Sequence, residues 1–256
     1  MSMTMESREA ANVEPLLELK GIGKSFGALR ALDDVNFAIY PGEVQALVGD
    51  NGAGKSTLVK IIAGAHRPDQ GELYFQGKPV QLTSPSAAFA LGIATVYQDL
   101  ALVGTRDVAN NLFMGREPTR WGVLVDRRKM VQEAQEVIQM LNVDIPSVDA
   151  LVSNLSGGQR QAIAIGRAVH EERSILVLDE PAAALGVKES HQILTLIEKL
   201  RDQGQAIVIV SHNLLHVFRV ADRITVLRRG RLVGSRLKSK TTVDEIVKMI
   251  TGADML

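Results

Sequence analysis

The stretch Gly49-Asp50-Asn51-Gly52-Ala53-Gly54-Lys55-Ser56 decides how the rest of the chain is read. It follows the apolar run VQALV at 44–48 and precedes TLVKIIAGAH at 57–66, so the spacing predicts a strand, a tight loop and a helix. The pattern is GxxxxGK followed by a hydroxyl residue. Its glycines let backbone N–H groups curl toward phosphate oxygens, and the helix that follows points its positive end at the same place. Lys55 is spaced to reach the outer phosphates of a nucleotide, and the Ser56 hydroxyl suits Mg2+.

Phosphates and a cation call for a carboxylate nearby. Ile175 to Gly186 reads ILVLDEPAAALG, a strand-length apolar run that ends on Asp179 and Glu180. Acids at a strand tip are common at the ligand-bearing edge of a parallel sheet. Asp179 is suited to hold Mg2+ through water and Glu180 to polarise an attacking water; a solvated loop acid is the alternative for Glu180. A third stretch, LSGGQRQ from Leu155 to Gln161, opens another predicted helix. The Ser156 hydroxyl with the amides of Gly157 and Gly158 makes a second anion-binding helix start. Taken alone, it is equally an ordinary Ser-capped helix after a glycine turn.

Composition narrows the classes. The 256 residues suit one large domain or two small lobes. Lys plus Arg and Asp plus Glu both total 29, so nothing favours a polyanionic partner, and no nucleic acid is expected. There are no cysteines, which rules out disulfides and thiolate metal sites. No apolar run approaches the roughly 20 residues that span a bilayer. The start, MSMTMESREAANVE, lacks the apolar centre of a secretory signal and reads as a loose tail over 1–14. A soluble, cytoplasmic chain is the expectation.

Along the chain, LLELKGIGKSF and ALDDVNFAIYPGEVQALVG read as short strands broken by Gly and Pro turns. GELYFQGKPVQL is a hairpin about Gly77, SPSAAFALG a short helix capped by Ser84 or Ser86, and IATVYQ a strand. From about Asp99 to Asn154 strand signals fade, and RRKMVQEAQEVIQMLNV has helical spacing with Val131, Ala134, Ile138 and Leu141 on one side. Beyond it come strand ILVLD, a long helix closed by Gly204, strand AIVIVS, helix NLLHVFRVA, hairpin DRITVLRRGRLVGS and a last helix, VDEIVKMITG. Fully apolar strands alternating with helices argue for an α/β fold with a parallel sheet.

Taken in order, GDNGAGKS, Gln98 in VYQD, LSGGQRQ, ILVLDEP and Val210-Ser211-His212 resemble the motif set of the ABC-type ATPases, from about Leu16 to Gly252. The resemblance implies a RecA-like P-loop core with a parallel sheet, an N-terminal antiparallel β subdomain and an inserted α-helical subdomain. Core and β subdomain would occupy 15–98 and 159–256, and the helical subdomain 99–158. It implies ATP and Mg2+ as cofactors. Phe26 in KSFGALRAL would stack on adenine, and Gly49, Asp50, Asn51, Gly52, Ala53, Gly54, Lys55, Ser56 and Thr57 would hold the phosphates. Ser56, Gln98 and Asp179 would serve Mg2+; Glu180, His212 and Lys55 would be catalytic. Ser156, Gly157, Gly158 and Gln159 would close over ATP held by another cassette. With one phosphate loop and one LSGGQ, the chain would pair head to tail with a second copy or a similar cassette in the ATP state. For His212 alone, a capped histidine at a strand end is the alternative. His212 and His216 also have zinc-pair spacing, but no acid follows His212 as in HExxH.

Finer features point to a branch. GIATVYQDLALV, NLFMGREP, AALGVKES and SHNLLHVFRVADRI are similar to the ATPase component of bacterial carbohydrate importers of the ribose, xylose and fructose type, here in the single-cassette, fructose-type arrangement. That implies a membrane permease docking on the segment between Gln98 and Asn154, an extracytoplasmic sugar-binding protein reached through it, and a peripheral place on the inner face of the membrane. Two positions depart from the wider family: Ala182 where Thr is usual and Gly186 where Asp is usual. A missing hydroxyl at 182 is expected to loosen that turn by ~1 kcal/mol. The competing readings are a soluble non-transport ABC ATPase, a P-loop phosphotransferase, and a cassette that binds ATP but hydrolyses it weakly.

Overall fold

The computed structural model describes residues 14–170 and 174–253. The tail expected over 1–14 lies, except for Glu14, outside them. The elements run β1 (Leu17–Phe26), β2 (Leu29–Ile39), β3 (Val44–Val48), α1 (Lys55–Ile62), β4 (Gln70–Phe75), β5 (Lys78–Val80), α2 (Pro85–Ala90), β6 (Ile93–Val96) and α3 (Val108–Leu112). They continue with β7 (Thr119–Arg120), β8 (Leu124–Val125), α4 (Arg127–Leu141), α5 (Gly157–Val169), β9 (Ile175–Asp179), α6 (Val187–Asp202), β10 (Ala206–Val210), α7 (Leu214–Val220), β11 (Arg223–Arg228), β12 (Arg231–Leu237) and α8 (Val243–Thr251).

One sheet is antiparallel, in the order β2-β1-β4-β5; the other has the order β12-β11-β3-β10-β9-β6 and is parallel except for its β12 edge. The apolar runs follow from burial on both faces of this second sheet. Successive side chains alternate between two cores. Ile175 and Val177 of β9, with Ala206, Val208 and Val210 of β10, meet α1 and the antiparallel sheet. Leu176 and Leu178, with Ile207 and Ile209, meet α3 to α7.

Local signals act as expected at several ends. Ser84, not Ser86, caps α2, accepting the Ala87 N–H at 3.2 Å. Gly204 and Gly252 follow α6 and α8 with φ of 92° and 80°.

Three features differ from the sequence reading. The glycines of KGIGKSF do not break β1. Gly21, at φ 63°, and Gly23 lie where its pairing register slips, so they bend one ten-residue strand. In α4 the buried side chains are Met130, Ala134, Val137 and Leu141, whereas Val131 and Ile138 are only partly buried. The reason is Gly166 of α5: a Cβ there would come within 2.8 Å of Leu141 and 3.0 Å of Val137, so this row seats in the space a side chain would take. The small hairpin β7–β8 also escapes the pattern, since its strands are two residues long and its apolar side chains Val123, Leu124 and Val125 are all exposed.

Candidate nucleotide site

Parallel pairing of β3, β10, β9 and β6 puts their carboxyl ends on one edge, with Val210 opposite both Leu47 and Asp179, and Val96 opposite Leu178. Four chain exits therefore share that edge: the Gly49–Gly54 loop after β3, Gln98 after β6, Asp179 and Glu180 at β9, and His212 after β10. This is where ligands sit in open α/β sheets.

The loop is shaped by two glycines that nothing else could replace. A Cβ on Gly49 (φ 153°) would stand 2.1 Å from the Leu227 carbonyl oxygen, and one on Gly54 (φ 105°) 2.6 Å from that of Ala31. Gly54 precedes α1 in a left-handed conformation and brings no capping side chain, so the first-turn amides of α1 are left to an external anion. Asp50, exposed, accepts the Asn51 N–H at 2.8 Å, and Ala53 is buried. Ser56 is exposed and Thr57 half-buried on the first turn. Lys55 folds back over the loop and donates to the Gly49 and Asp50 carbonyls at 2.7 and 2.9 Å. Burial lowers its pKa, opposed by the charges of Glu180, Asp50 and Asp179.

The acids differ in surroundings. The Asp179 pKa is raised, by burial first and then by the Glu180 charge, against Lys55 and Lys60. Glu180 holds a left-handed backbone (φ 53°) and anchors it by donating its N–H to Val210 O at 2.9 Å. Its Oε1 accepts the His212 N–H at 3.1 Å and lies 2.8 Å from His212 Nδ1. The His212 ring is 72% exposed, so its far nitrogen faces outward. His216 instead turns to the Asn213 amide at 3.3 Å, and Asn213 also caps α7, so the two histidines do not act as a pair. A cleft of ≈550 Å3 opens beside Glu180 and His212, also lined by His191, His216 and Arg219.

The edge fits a hard divalent cation. Its donors are carboxylate, hydroxyl and amide oxygens, and the raised Asp179 pKa reflects a buried acid beside a second one, whose charges an added cation would offset. Gln98 is exposed one residue past Tyr97, whose hydroxyl pKa is raised by burial and by the Asp179 charge. Phe26 is 45% exposed at the tip of β1, edge-on to His66 with centroids 5.4 Å apart.

The LSGGQ turn stands apart. Ser156 Oγ accepts the Gln159 N–H at 3.3 Å, while Gln159 Oε1 accepts the Ser156 N–H at 2.9 Å. Gln159 also donates to the Asp144 carbonyl. Among the described residues no hydrogen bond runs from this turn to the phosphate loop. Sequence reading missed Tyr97, Asn213 and Glu189, whose carboxylate faces Ser156. The signals available were adjacency to Gln98 for Tyr97 and the Asx pattern before a helix for Asn213; Glu189 had none beyond its place in the first turn of α6. Of the two departures, Ala182 is buried in its own chain, and the turn around it closes through the Ala183 N–H to Glu180 O at 3.1 Å. Gly186 is exposed at the start of α6.

Comparison with known proteins agrees with this geometry. The family model described as ABC transporter matches residues 32–183, more than half of the chain. A xylose/arabinose import ATP-binding protein of Sulfolobus acidocaldarius is 46% identical over 236 residues, covering 92% of this chain and 94% of the relative. A fructose import ATP-binding protein of Rhizobium meliloti is 44% identical, covering 94% and 95%. A ribose import ATP-binding protein of Yersinia pestis is 43% identical over 94% of this chain, which spans only 47% of that relative. Among solved structures, an ATP-binding cassette of an ABC transporter in its ADP conformation superposes with a TM-score of 0.81 at 27% identity, covering 94% and 96%. A dimeric post-hydrolysis cassette bound to ADP and phosphate gives 0.74 at 25% identity, covering 87% and 98%.

Proposed function

The chain belongs to the ABC transporter family of ATP-binding proteins, and from that premise we propose that it is the ATP-hydrolysing subunit of a monosaccharide importer. The observation that carries this is the shared sheet edge, where Lys55, Asp179, Glu180 and His212 leave neighbouring parallel strands. The xylose-, fructose- and ribose-import relatives support the sugar assignment.

In this reading ATP lies along the Gly49–Gly54 loop with its phosphates on the free amides of α1. Lys55 gives up its loop carbonyls and neutralises phosphate charge. Ser56, Gln98 and Asp179 would hold Mg2+, which supplies charge neutralisation at the phosphates. Glu180 orients and polarises water, and His212 holds the Glu180 carboxylate through one ring nitrogen while turning the other to the phosphates. Phe26 offers an exposed ring face to the base. Among the described residues the Ser156–Gln159 turn makes no bond to its own phosphate loop, which leaves it available to the nucleotide of a second cassette as two copies close head to tail. The dimeric cassette among the structural relatives supports that pairing.

The permease would dock on the groove of ≈290 Å3 lined by Phe89, Thr95, Phe113, Arg116, Arg167 and His170, where α2 and β6 of the core meet α3 and α5. The chain then works on the inner face of the membrane; no helix among the described residues is long and apolar enough to cross it. The substrate-binding protein is reached through the permease.

Phosphate release by the reconstituted permease complex tests the proposal. Wild type should turn over steadily, and Glu180→Gln should lose at least about 100-fold, the usual worth of a positioned acid or base. Light scattering should show Glu180→Gln, saturated with Mg-ATP, as a dimer. Equal turnover by both proteins would leave only an ATP-binding module.

A further inference from the structure

Gly186 stands at the start of α6 without a side chain to cap it, and Glu189 meets part of that need: its Oε2 accepts the Gly186 N–H at 3.2 Å. The stem of Glu189 meanwhile lies on Gly158. A Cβ at Gly158 would come within 2.9 Å of Glu189 Cβ and 3.2 Å of its Cγ. One residue earlier, a Cβ at Gly157 would come within 2.9 Å of Leu185. The chain from Leu185 to Glu189, which continues the turn after Glu180, is therefore seated directly on the two glycines that open α5. The Glu189 carboxylate faces the Ser156 hydroxyl and the N–H groups of Gly186 and Gly158, and these hold its pKa below the usual carboxylate range.

We propose that Glu189 is a positioning residue that fastens the turn after Glu180 to the Ser156–Gly158 turn, so that both reach a second copy's ATP as one piece. This rests on the head-to-tail reading above. Ser156 shows why a fastener is needed. Its oxygen already accepts the Gln159 N–H, so the direction of its own O–H is set by whatever acceptor stands beside it. Glu189, whose stem lies on Gly158 of the same turn, is the acid beside it. Gly186 gives α6 no side-chain cap of its own, so the Glu189 side chain serves both turns.

The test uses the full chain carrying Glu180→Gln, with nucleotide binding and dimerisation read separately. Adding Glu189→Ala should leave binding of a fluorescent ATP analogue to the monomer unchanged and raise the ATP needed for half-dimerisation about 10-fold, the loss of one charge-assisted contact. Glu189→Gln keeps an acceptor oxygen and should stay within about 3-fold of the parent. Gly186→Ser separates the two roles. Its backbone (φ −63°, ψ 163°) suits a capping residue, and a Cβ there meets only Glu189 Oε2 at 3.7 Å. Combined with Glu189→Ala, it should restore the α6 cap and leave dimerisation weak. Restored dimerisation would mean that Glu189 only caps its helix and would overturn the proposal, as would a Glu189→Ala protein that pairs like its parent. Should the parent itself fail to pair with Mg-ATP, the head-to-tail reading has failed instead. Amide hydrogen exchange in the free protein then still decides the fastening: Glu189→Ala must speed exchange at Gly157 to Gln159, and unchanged rates there refute it.

Discussion

Glu180 and His212 touch twice: one carboxylate oxygen accepts the His212 main-chain N–H at 3.1 Å and lies 2.8 Å from its ring Nδ1. A carboxylate only accepts, so Nδ1 carries the proton and Nε2 is left facing outward. The main-chain contact survives any substitution at 212 except proline, whereas the ring contact does not. His212→Ala should therefore leave Glu180 near its place and Mg-ATP binding within about 3-fold, while turnover falls by about 100-fold or more. His212→Gln, which can donate to Glu180, should recover part of that loss. Equilibrium nucleotide binding beside single-turnover hydrolysis gives the comparison, and a variant defective in both would contradict the division of labour.

The glycines of the phosphate loop are not equivalent. A Cβ at Gly49 runs into the Leu227 carbonyl at 2.1 Å and comes within 3.2 Å of Ala53 Cβ, with no flexible neighbour to give way. At Gly52 (φ 76°) nothing lies within 4 Å. Gly52→Ala should cost only its left-handed backbone, about 1 kcal/mol, and Gly49→Ala about 3 kcal/mol or more through overpacking. Urea unfolding of the two variants without nucleotide measures this. Equal losses would mean that the loop has room the geometry denies.

What was legible in the sequence is what burial and local chemistry write into adjacent residues. ILVLD, AIVIV and VQALV read as strands because both faces of their sheet are covered, and Ser84, Gly204 and Gly252 mark helix ends through the backbone groups beside them. The phosphate-edge residues were legible because each follows an apolar strand, and LSGGQ because a Ser cap and glycines mark the start of a helix. Relations between distant segments were not. Nothing near Glu189 announces that its stem replaces a side chain at Gly158, and nothing in α4 says that Gly166 draws Val137 inward rather than Val131 and Ile138. The β7–β8 hairpin stayed hidden because strands of two residues carry no period.

Inside the main sheet, a polar link crosses β3 and β11. Gln45 Nε2 donates to Thr225 Oγ1 at 3.0 Å, and Thr225 lies 2.9 Å from Ser235 Oγ on β12, while Gln45 Oε1 is buried without a partner. Thr225→Val would strand the Gln45 amide as well and should cost about 1–3 kcal/mol. Replacing both, Gln45→Met with Thr225→Val, removes the orphaned groups together and should recover most of that loss. Denaturant midpoints of the three variants close the cycle. A double variant no better than the single one would mean that the link contributes more than it strands.

Asp179 sets a stability that depends on pH. Its folded pKa is raised above the ordinary 3.8, by burial first and the Glu180 charge second. A raised pKa means that the native state holds the proton more tightly than the unfolded chain. The contribution is therefore fully favourable below about 3.8 and is lost as pH climbs through the raised value. Once Asp179 has lost its proton, its charge, buried and beside Glu180, is a net cost to the nucleotide-free protein. Asp179→Asn should then raise the Tm at pH 7 by about 2–4 °C, the effect of relieving ~1 kcal/mol of buried charge and like-charge crowding in a domain of this size. The gain should shrink as the pH is lowered toward the carboxylate range, because wild-type Asp179 then takes up its own proton. Mg-ATP should reverse the order, stabilising wild type more than the variant, since a bound cation needs the Asp179 charge. Thermal melts at neutral and mildly acid pH, with and without Mg-ATP, measure all of this. A variant that is less stable than wild type at pH 7 without nucleotide would show that Asp179 supports the fold and is not held there for its ligand.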